Sequence, residues 1–264
     1  MKPFKEQLES IMSEHGGSYA ARNVDAHIAG YEWAYNFFEE ERSKQLVVDW
    51  LRLIARGPAP KPNTRSDEYY EEGFIALGNN EVFVDGGAFT GDTAEDFIRR
   101  MGKNKNYHVH AFEPNTGSYR KAMSRLAAYA NVTLVNKGLW SHDTELVFTE
   151  GDYDKMSSSF VLNENRGRTK YSVPVTSIDS YFGNIAEGGQ PTFIKLDIQG
   201  AEREALLGAA ATIKRHKPKL AVCTYHKAED IYVLPRTLHE IRNDYKYALR
   251  QHGYAWYNTV LYAV

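Results

Sequence analysis

The sequence predicts a doubly wound α/β fold: a mostly parallel, seven-stranded sheet that closes on an antiparallel C-terminal strand and is preceded by a helical extension. Three observations carry this expectation. From Glu81 onward, short apolar runs alternate with amphipathic segments, as repeated strand–helix units require. The first run, Glu81-Val82-Phe83-Val84-Asp85, ends in a glycine-rich turn. Upstream of it, apolar residues recur instead at helical spacings of three and four.

In that upstream segment the helical stripe comprises Tyr31, Ala34 and Phe38, then Leu46, Val47, Trp50, Leu51 and Ile54. Gly57-Pro58-Ala59-Pro60-Lys61-Pro62 stops any helix, because proline removes a donor and clashes with the preceding turn. The boundary is therefore placed there, giving an extension over 1–62 and an α/β domain over 63–264. Strands are expected at Glu81–Asp85, Tyr107–Phe112, Val132–Asn136, Thr192–Asp197, Lys219–Tyr225, Tyr245–Arg250 and Trp256–Val264, the last two joined through His252-Gly253. Helices are expected at Thr93–Met101, capped by Asp92 or Thr93, at Thr116–Tyr129, at Glu202–Ala210 and over 235–244. Residues 140–178 interrupt the rhythm: Glu145–Phe148 and Tyr171–Val175 read as strands around a polar loop, an insertion over one end of the sheet.

Composition narrows the function classes. With 32 basic and 34 acidic residues the formal charge is −2, which offers no general nucleic-acid footprint. No apolar run approaches the roughly 18 residues of a membrane span, and Met-Lys-Pro-Phe-Lys-Glu is no secretory leader. A cytoplasmic location is the expectation. Cys223 is the only cysteine, which excludes an intramolecular disulfide framework and a multi-cysteine zinc site.

In open α/β sheets, ligands bind beyond the carboxyl ends of the strands. That rule selects four places. The first strand runs into Asp85-Gly86-Gly87-Ala88 and, after Phe89-Thr90, Gly91-Asp92-Thr93, where glycines permit a sharp turn before a helix N-terminus with free N–H groups. The second ends in Glu113-Pro114, and a carboxylate there can accept two hydrogen bonds from a ribose diol. A nicotinamide dinucleotide is the rival ligand for this pair. Its G-x-G-x-x-G fingerprint is incomplete here, however, since Ala88 takes the place of the second glycine. Asp85 would also repel a pyrophosphate, whereas it suits the ammonium and sulfonium of S-adenosylmethionine. The third place, Phe193-Ile194-Lys195-Leu196-Asp197, delivers Asp197 to the same sheet edge, with Lys195 an odd occupant of a buried strand that could pair with a carboxylate. The fourth presents His226 after Lys219–Tyr225, where an imidazole can take a proton from a substrate hydroxyl near neutral pH.

Together these motifs resemble the FkbM family of S-adenosylmethionine-dependent methyltransferases over roughly residues 69–264. The likeness rests on Val82–Ala88 with Gly91-Asp92-Thr93, on Phe193–Glu202, and on Tyr225-His226-Lys227 followed by Glu229-Asp230. Gln199 stands where the family usually has Glu, which weakens any case for a metal site. Asp197 could supply one ligand to a divalent cation, but the sequence shows no hard-oxygen cluster around it, so no metal site is expected. The resemblance implies a Rossmann-like fold, with Asp85, the loop glycines and Glu113 holding the donor. It also implies Trp140 and Ser141 beside the adenine, and O-methylation of a hydroxyl on a sugar or a secondary metabolite. Asp197 is expected at the donor site and, with His226, in the chemistry. The acceptor is then a small molecule or glycan, with 150–170 as its lid. The N-terminal helices would either cover it or form a homodimer contact. A nicotinamide-dependent oxidoreductase and a non-catalytic donor-binding scaffold are the alternatives.

Overall fold

The structure, a computed structural model, describes residues 1–14, 24–55, 67–103, 106–149, 170–184, 189–252 and 258–264. The expected boundary at Gly57–Pro62, residues 150–169 of the lid expected over 150–170, and Gly253 and Trp256 lie outside the described residues. The main sheet has seven strands in the order β3-β2-β1-β7-β8-β10-β9. These are β1 (Asn80–Gly86), β2 (Asn106–Phe112), β3 (Val132–Val135), β7 (Phe193–Leu196), β8 (Lys219–Cys223), β9 (Tyr247–Gln251) and β10 (Thr259–Ala263). The expected α/β class and strand count are both found. By compactness the chain divides into two units, Ala76–Val222 and Met1–Ile75 with Cys223–Val264.

In the first of these units β1 pairs in parallel with β2 on one side and β7 on the other. The strand order therefore reverses at β1, the switch point at which such sheets bind ligands. Helices α4 (Asp92–Met101) and α5 (Thr116–Leu126) follow β1 and β2. Apolar packing behind the switch point is aromatic: Phe83 stacks on Phe97 of α4 at 4.5 Å and on Phe193 of β7 at 4.9 Å. All three are fully buried.

The insertion is a small sheet of its own. Strand β6 (Lys170–Thr176) pairs antiparallel with β5 (Thr144–Thr149) and parallel with the two-residue β4 (Gly138–Leu139). A short helix, α6 (Ile178–Asn184), follows and escaped the sequence reading. Asp179 caps the later helix, accepting from Ala211 and Thr212 N–H at 2.8 Å each.

All four expected helices differ in their bounds; α5 ends at Leu126 rather than Tyr129. The cap of α4 is Gly91 in the left-handed region, φ 81°, so Asp92 already belongs to the helix. The helix expected at Glu202–Ala210 is two, α7 (Glu202–Leu207) and α8 (Ala210–His216). Between them a Cβ at Gly208 would come within 2.1 Å of the Trp140 carbonyl. The late helix α9 (Asp230–Ile241) starts well before Pro235. Its N-cap is Glu229, and in the turn before it the Asp230 carboxylate accepts from Lys227 N–H at 2.9 Å.

The other unit holds α1 (Phe4–Glu14), α2 (Ile28–Phe37), α3 (Glu41–Ile54), α9 and the antiparallel pair β9–β10. Helix α3 buries Leu46, Val47, Trp50 and Leu51, the stripe read from the sequence. Its Trp50 donates to Thr259 Oγ1 at 3.0 Å, and the hydroxyl of Ser43 accepts from Leu249 N–H at 2.8 Å. No described helix is long and apolar enough to cross a membrane.

Phe97 fills the space between α4 and the sheet, so Phe97→Ala should cost about 3–5 kcal/mol. Urea unfolding monitored by circular dichroism measures it, and a loss under about 1 kcal/mol would mean that the site collapses to fill the gap.

Candidate active site

The site begins with register. Gly86 lies opposite Phe112 on β2 and opposite Leu196 on β7. The next residues, Gly87, Glu113 and Asp197, consequently form one row at the carboxyl edge. Gly87 and Ala88 N–H both donate to the Phe112 carbonyl at 3.0 Å, and Asp197 N–H donates to the Gly86 carbonyl at 3.1 Å. Three sequence-selected positions thus come together.

The glycines have a reason the sequence did not reveal. Gly87 has φ +77°, and a Cβ there would lie 1.9 Å from the Asp197 carbonyl oxygen. At Gly86 it would meet Leu196 and Leu139 side chains at 2.8 and 2.9 Å. At Gly91, φ +81°, it would meet Leu126 of α5 at 2.9 Å. These positions are glycine because the chain packs closely on itself there. Leu139 leans on the loop, and half-buried Trp140 and Ser141 follow it, with Trp140 N–H donating to Thr176 O at 2.9 Å.

Beneath the loop lies a buried ion pair. The Lys195 ammonium donates to Asp85 Oδ1 at 2.9 Å, to Gly86 O at 3.1 Å and to Gly87 O at 2.9 Å. Both residues are essentially inaccessible. Burial pushes the Asp85 carboxyl above its ordinary range, and the Lys195 ammonium pulls against that shift. The expected pairing of Lys195 with a carboxylate is therefore present. It also changes the electrostatic argument: Asp85 does not confront a ligand as an open negative charge. Its other oxygen, Oδ2, is buried and accepts no hydrogen bond among the described residues.

Glu113 is buried too, and held from both sides. Its Oε2 accepts from Phe89 N–H at 2.8 Å and its Oε1 from Asn115 N–H at 2.8 Å. Burial raises its carboxyl to about 7, with those two N–H groups and Lys195 opposing. Phe89, which makes one of these bonds, adopts φ 46°, a left-handed conformation costly for a bulky residue. Asn136 donates to the carbonyls of Glu113, at 2.7 Å, and of Pro114, at 3.2 Å. The sequence reading missed Phe89, Asn115 and Asn136, none of which belongs to a recognisable spacing. Asp92 is exposed and Thr93 half-buried in the first turn of α4.

Asp197 is half-buried at the end of β7. The turn after it places Gln199 and Gly200 in left-handed conformations, φ 57° and 95°. Glu202, almost fully buried, reaches back to accept from Ile198 N–H at 2.8 Å. Its role is to close this turn. In the other unit, half-buried His226 lies just past β8 with its ring 4.2 Å from that of Tyr225.

Chemically, this edge offers a dipositioned carboxylate for a diol, a buried acceptor for a cation, and a glycine turn leading into a helix N-terminus. The sequence pattern of the methyltransferase FkbM domain matches residues 85–254, more than half of the chain. The chain belongs to the FkbM methyltransferase family. It therefore carries an S-adenosylmethionine-dependent methyltransferase domain, and the Asp85 and Glu113 acceptors fit that donor.

A solved structure shares the fold. This FkbM-family chain is similar to the methyltransferase FkbM of Methylobacillus flagellatus KT, with a TM-score of 0.72 and 23% identity over 92% of this chain. It spans only 60% of that protein's length. Fibrillarin of Aeropyrum pernix, solved with S-adenosylmethionine bound, is more distant: TM-score 0.45, 10% identity, 73% of this chain and 71% of that one. No curated protein matches the sequence.

Lys195→Met should destabilise the FkbM domain by about 3–5 kcal/mol, since it leaves Asp85 buried without its partner. Adding Asp85→Asn should recover part of that loss. A double-mutant cycle in urea reads the coupling, and additive losses would show that the pair is not the organising contact.

Proposed function

We propose that the chain transfers the methyl group to a hydroxyl oxygen of a small molecule or glycan, either a sugar of a polysaccharide or a secondary metabolite. The observation that carries this reading is the strand-end set: donor-side carboxylates at the end of β1 and just past β2, then Asp197 after β7 and an imidazole after β8. A hydroxyl acceptor has to lose a proton, and a histidine at a strand end suits that need.

S-adenosylmethionine supplies a methyl group already activated on sulfonium, so the protein's work is alignment and proton removal. Glu113 accepts both ribose hydroxyls. Asp85 Oδ2 accepts from the donor's ammonium, while the loop from Gly86 to Ala88 and Gly91 to Thr93 shapes the cleft. Pro114 turns the chain away after Glu113. Trp140 and Ser141 border the adenine. Asp197 orients the donor or the acceptor. His226 takes the proton as the acceptor oxygen attacks. The family resemblance supports oxygen as the target atom, and a product formed from donor with an isotopically labelled methyl, read by carbon NMR, identifies that atom.

The base is tested by His226→Ala. Turnover should fall by about 10²–10⁴-fold, with affinity for S-adenosylhomocysteine retained by calorimetry. Undiminished turnover would remove His226 from the chemistry.

Glu113 gives a pH signature. Its carboxyl is raised to about 7 in the free protein, and the diol needs the ionised form. Donor binding therefore expels the proton from protein that still carries it, and does so only below that pKa. Affinity for S-adenosylhomocysteine should weaken as pH falls from about 8 to about 6, by at most about tenfold per unit. Glu113→Gln should bind more weakly and without that dependence. A flat wild-type profile would show that Glu113 does not titrate on binding.

A further inference from the structure

The unit formed by Met1–Ile75 and Cys223–Val264 contains a cavity of about 410 Å³, a size in the range of small-molecule sites, about 300–1,000 Å³. Its aromatic wall is built from Phe37 at the end of α2 and Tyr247 at the start of β9, with ring centroids 4.9 Å apart. Phe37 is fixed from behind by Trp33, stacked at 4.5 Å, and from the side by His239, edge-on at 5.3 Å. The platform is therefore rigid, and both rings remain half-buried rather than sealed into the core.

Around this wall stand four exposed polar side chains: Glu39, His239, Asn243 and Lys246. None has a hydrogen-bond or ion-pair partner among the described residues. Glu40 also lines the cavity, but its carboxylate is committed to the buried Arg250 fork and to Ser43. Charge then decides the class of ligand. Glu39 and Lys246 cancel, and Glu40 and Glu71 together are balanced by Arg250 and Arg42, so neither a cation nor an anion is favoured. A purely apolar guest would make no use of the donors and acceptors on the rim. A neutral ring with C–H groups on one face and hydroxyls at its edge satisfies both the aromatic wall and the rim.

We propose that this cavity binds one neutral saccharide ring, stacked on Phe37 and Tyr247 and hydrogen-bonded by Glu39, His239, Asn243 and Lys246. The site goes beyond methyl transfer and uses none of the residues assigned to the donor or to proton removal. Such a site gives a glycan-acting enzyme a second hold on a chain of sugars. Two weak contacts on one polymer raise overall binding through effective concentration.

The test is saturation-transfer NMR on the full chain without methyl donor. The probes are the methyl glycosides of glucose, galactose and mannose, with choline as the cationic control. Transfer to the ring C–H protons of at least one glycoside is expected. Phe37→Ala should abolish it, and Asn243→Ala should weaken binding by about fivefold, the loss of one hydrogen bond. If Phe37→Ala does not fold, Asn243→Ala and Glu39→Gln decide, because both positions are exposed. Three results overturn the proposal: no transfer from any glycoside, transfer that survives both rim variants at full strength, or choline binding in preference to the sugars. Because the readout needs no methyl transfer, its failure leaves the methyltransferase reading untouched, and the reverse also holds.

Discussion

The buried pair of Lys195 and Asp85 is the contact on which the architecture of the site depends. One ammonium meets three oxygens, one from the carboxylate and two from the carbonyls of Gly86 and Gly87. The oxygens belong to β1 and its turn, and the lysine to the neighbouring strand β7. Strand register, loop conformation and charge balance are thus parts of one arrangement. Leaving either charge buried alone is far more costly than burying them together. The loop is also pressed from the other direction, since the absent Cβ of Gly87 is what lets the Asp197 carbonyl approach. The ammonium holds the turn from beneath, and the glycine allows it to lie flat against β7.

What the sequence could and could not reveal follows from the range of each interaction. Buried parallel strands are apolar runs that stop at glycine or proline, so the positions of Asp85, Glu113 and Asp197 at a common edge were legible. Lys195 stood out as a misplaced charge, but its partner is 110 residues away, and periodicity carries no such information. The need for glycine at 208 depends on the Trp140 carbonyl, which comes from the insertion and not from the helix itself. The late helix expected over 235–244 begins at Asp230 and carries Pro235 inside it, although proline suits a first turn better than a helix interior.

The pair also revises the case against a nicotinamide dinucleotide. A bare Asp85 would repel a pyrophosphate, but a carboxylate that shares its charge with Lys195 repels much less. Ligand choice at this edge cannot be read from that one negative residue. The incomplete glycine fingerprint and the FkbM domain match carry the distinction, and the match spans the strand-end positions from Asp85 through His226. Electrostatics at the sheet edge then acts through what stays unsatisfied, Asp85 Oδ2 and the outer lone pairs of Glu113.

Glu113 shows why that residual capacity matters. An ionised carboxylate offers about four acceptor positions, and the backbone N–H groups of Phe89 and Asn115 occupy two of them. Two remain, one on each oxygen, which matches the two hydroxyls of a ribose. Before they are filled, burial of the charge is only partly compensated, which is why the carboxyl is raised to about 7. The left-handed Phe89 carries a cost of about 1–3 kcal/mol. It falls at the residue whose N–H supports the Glu113 charge. The loop strain and the raised carboxyl are therefore two sides of one arrangement, a partly satisfied acceptor whose completion is left to the proposed donor.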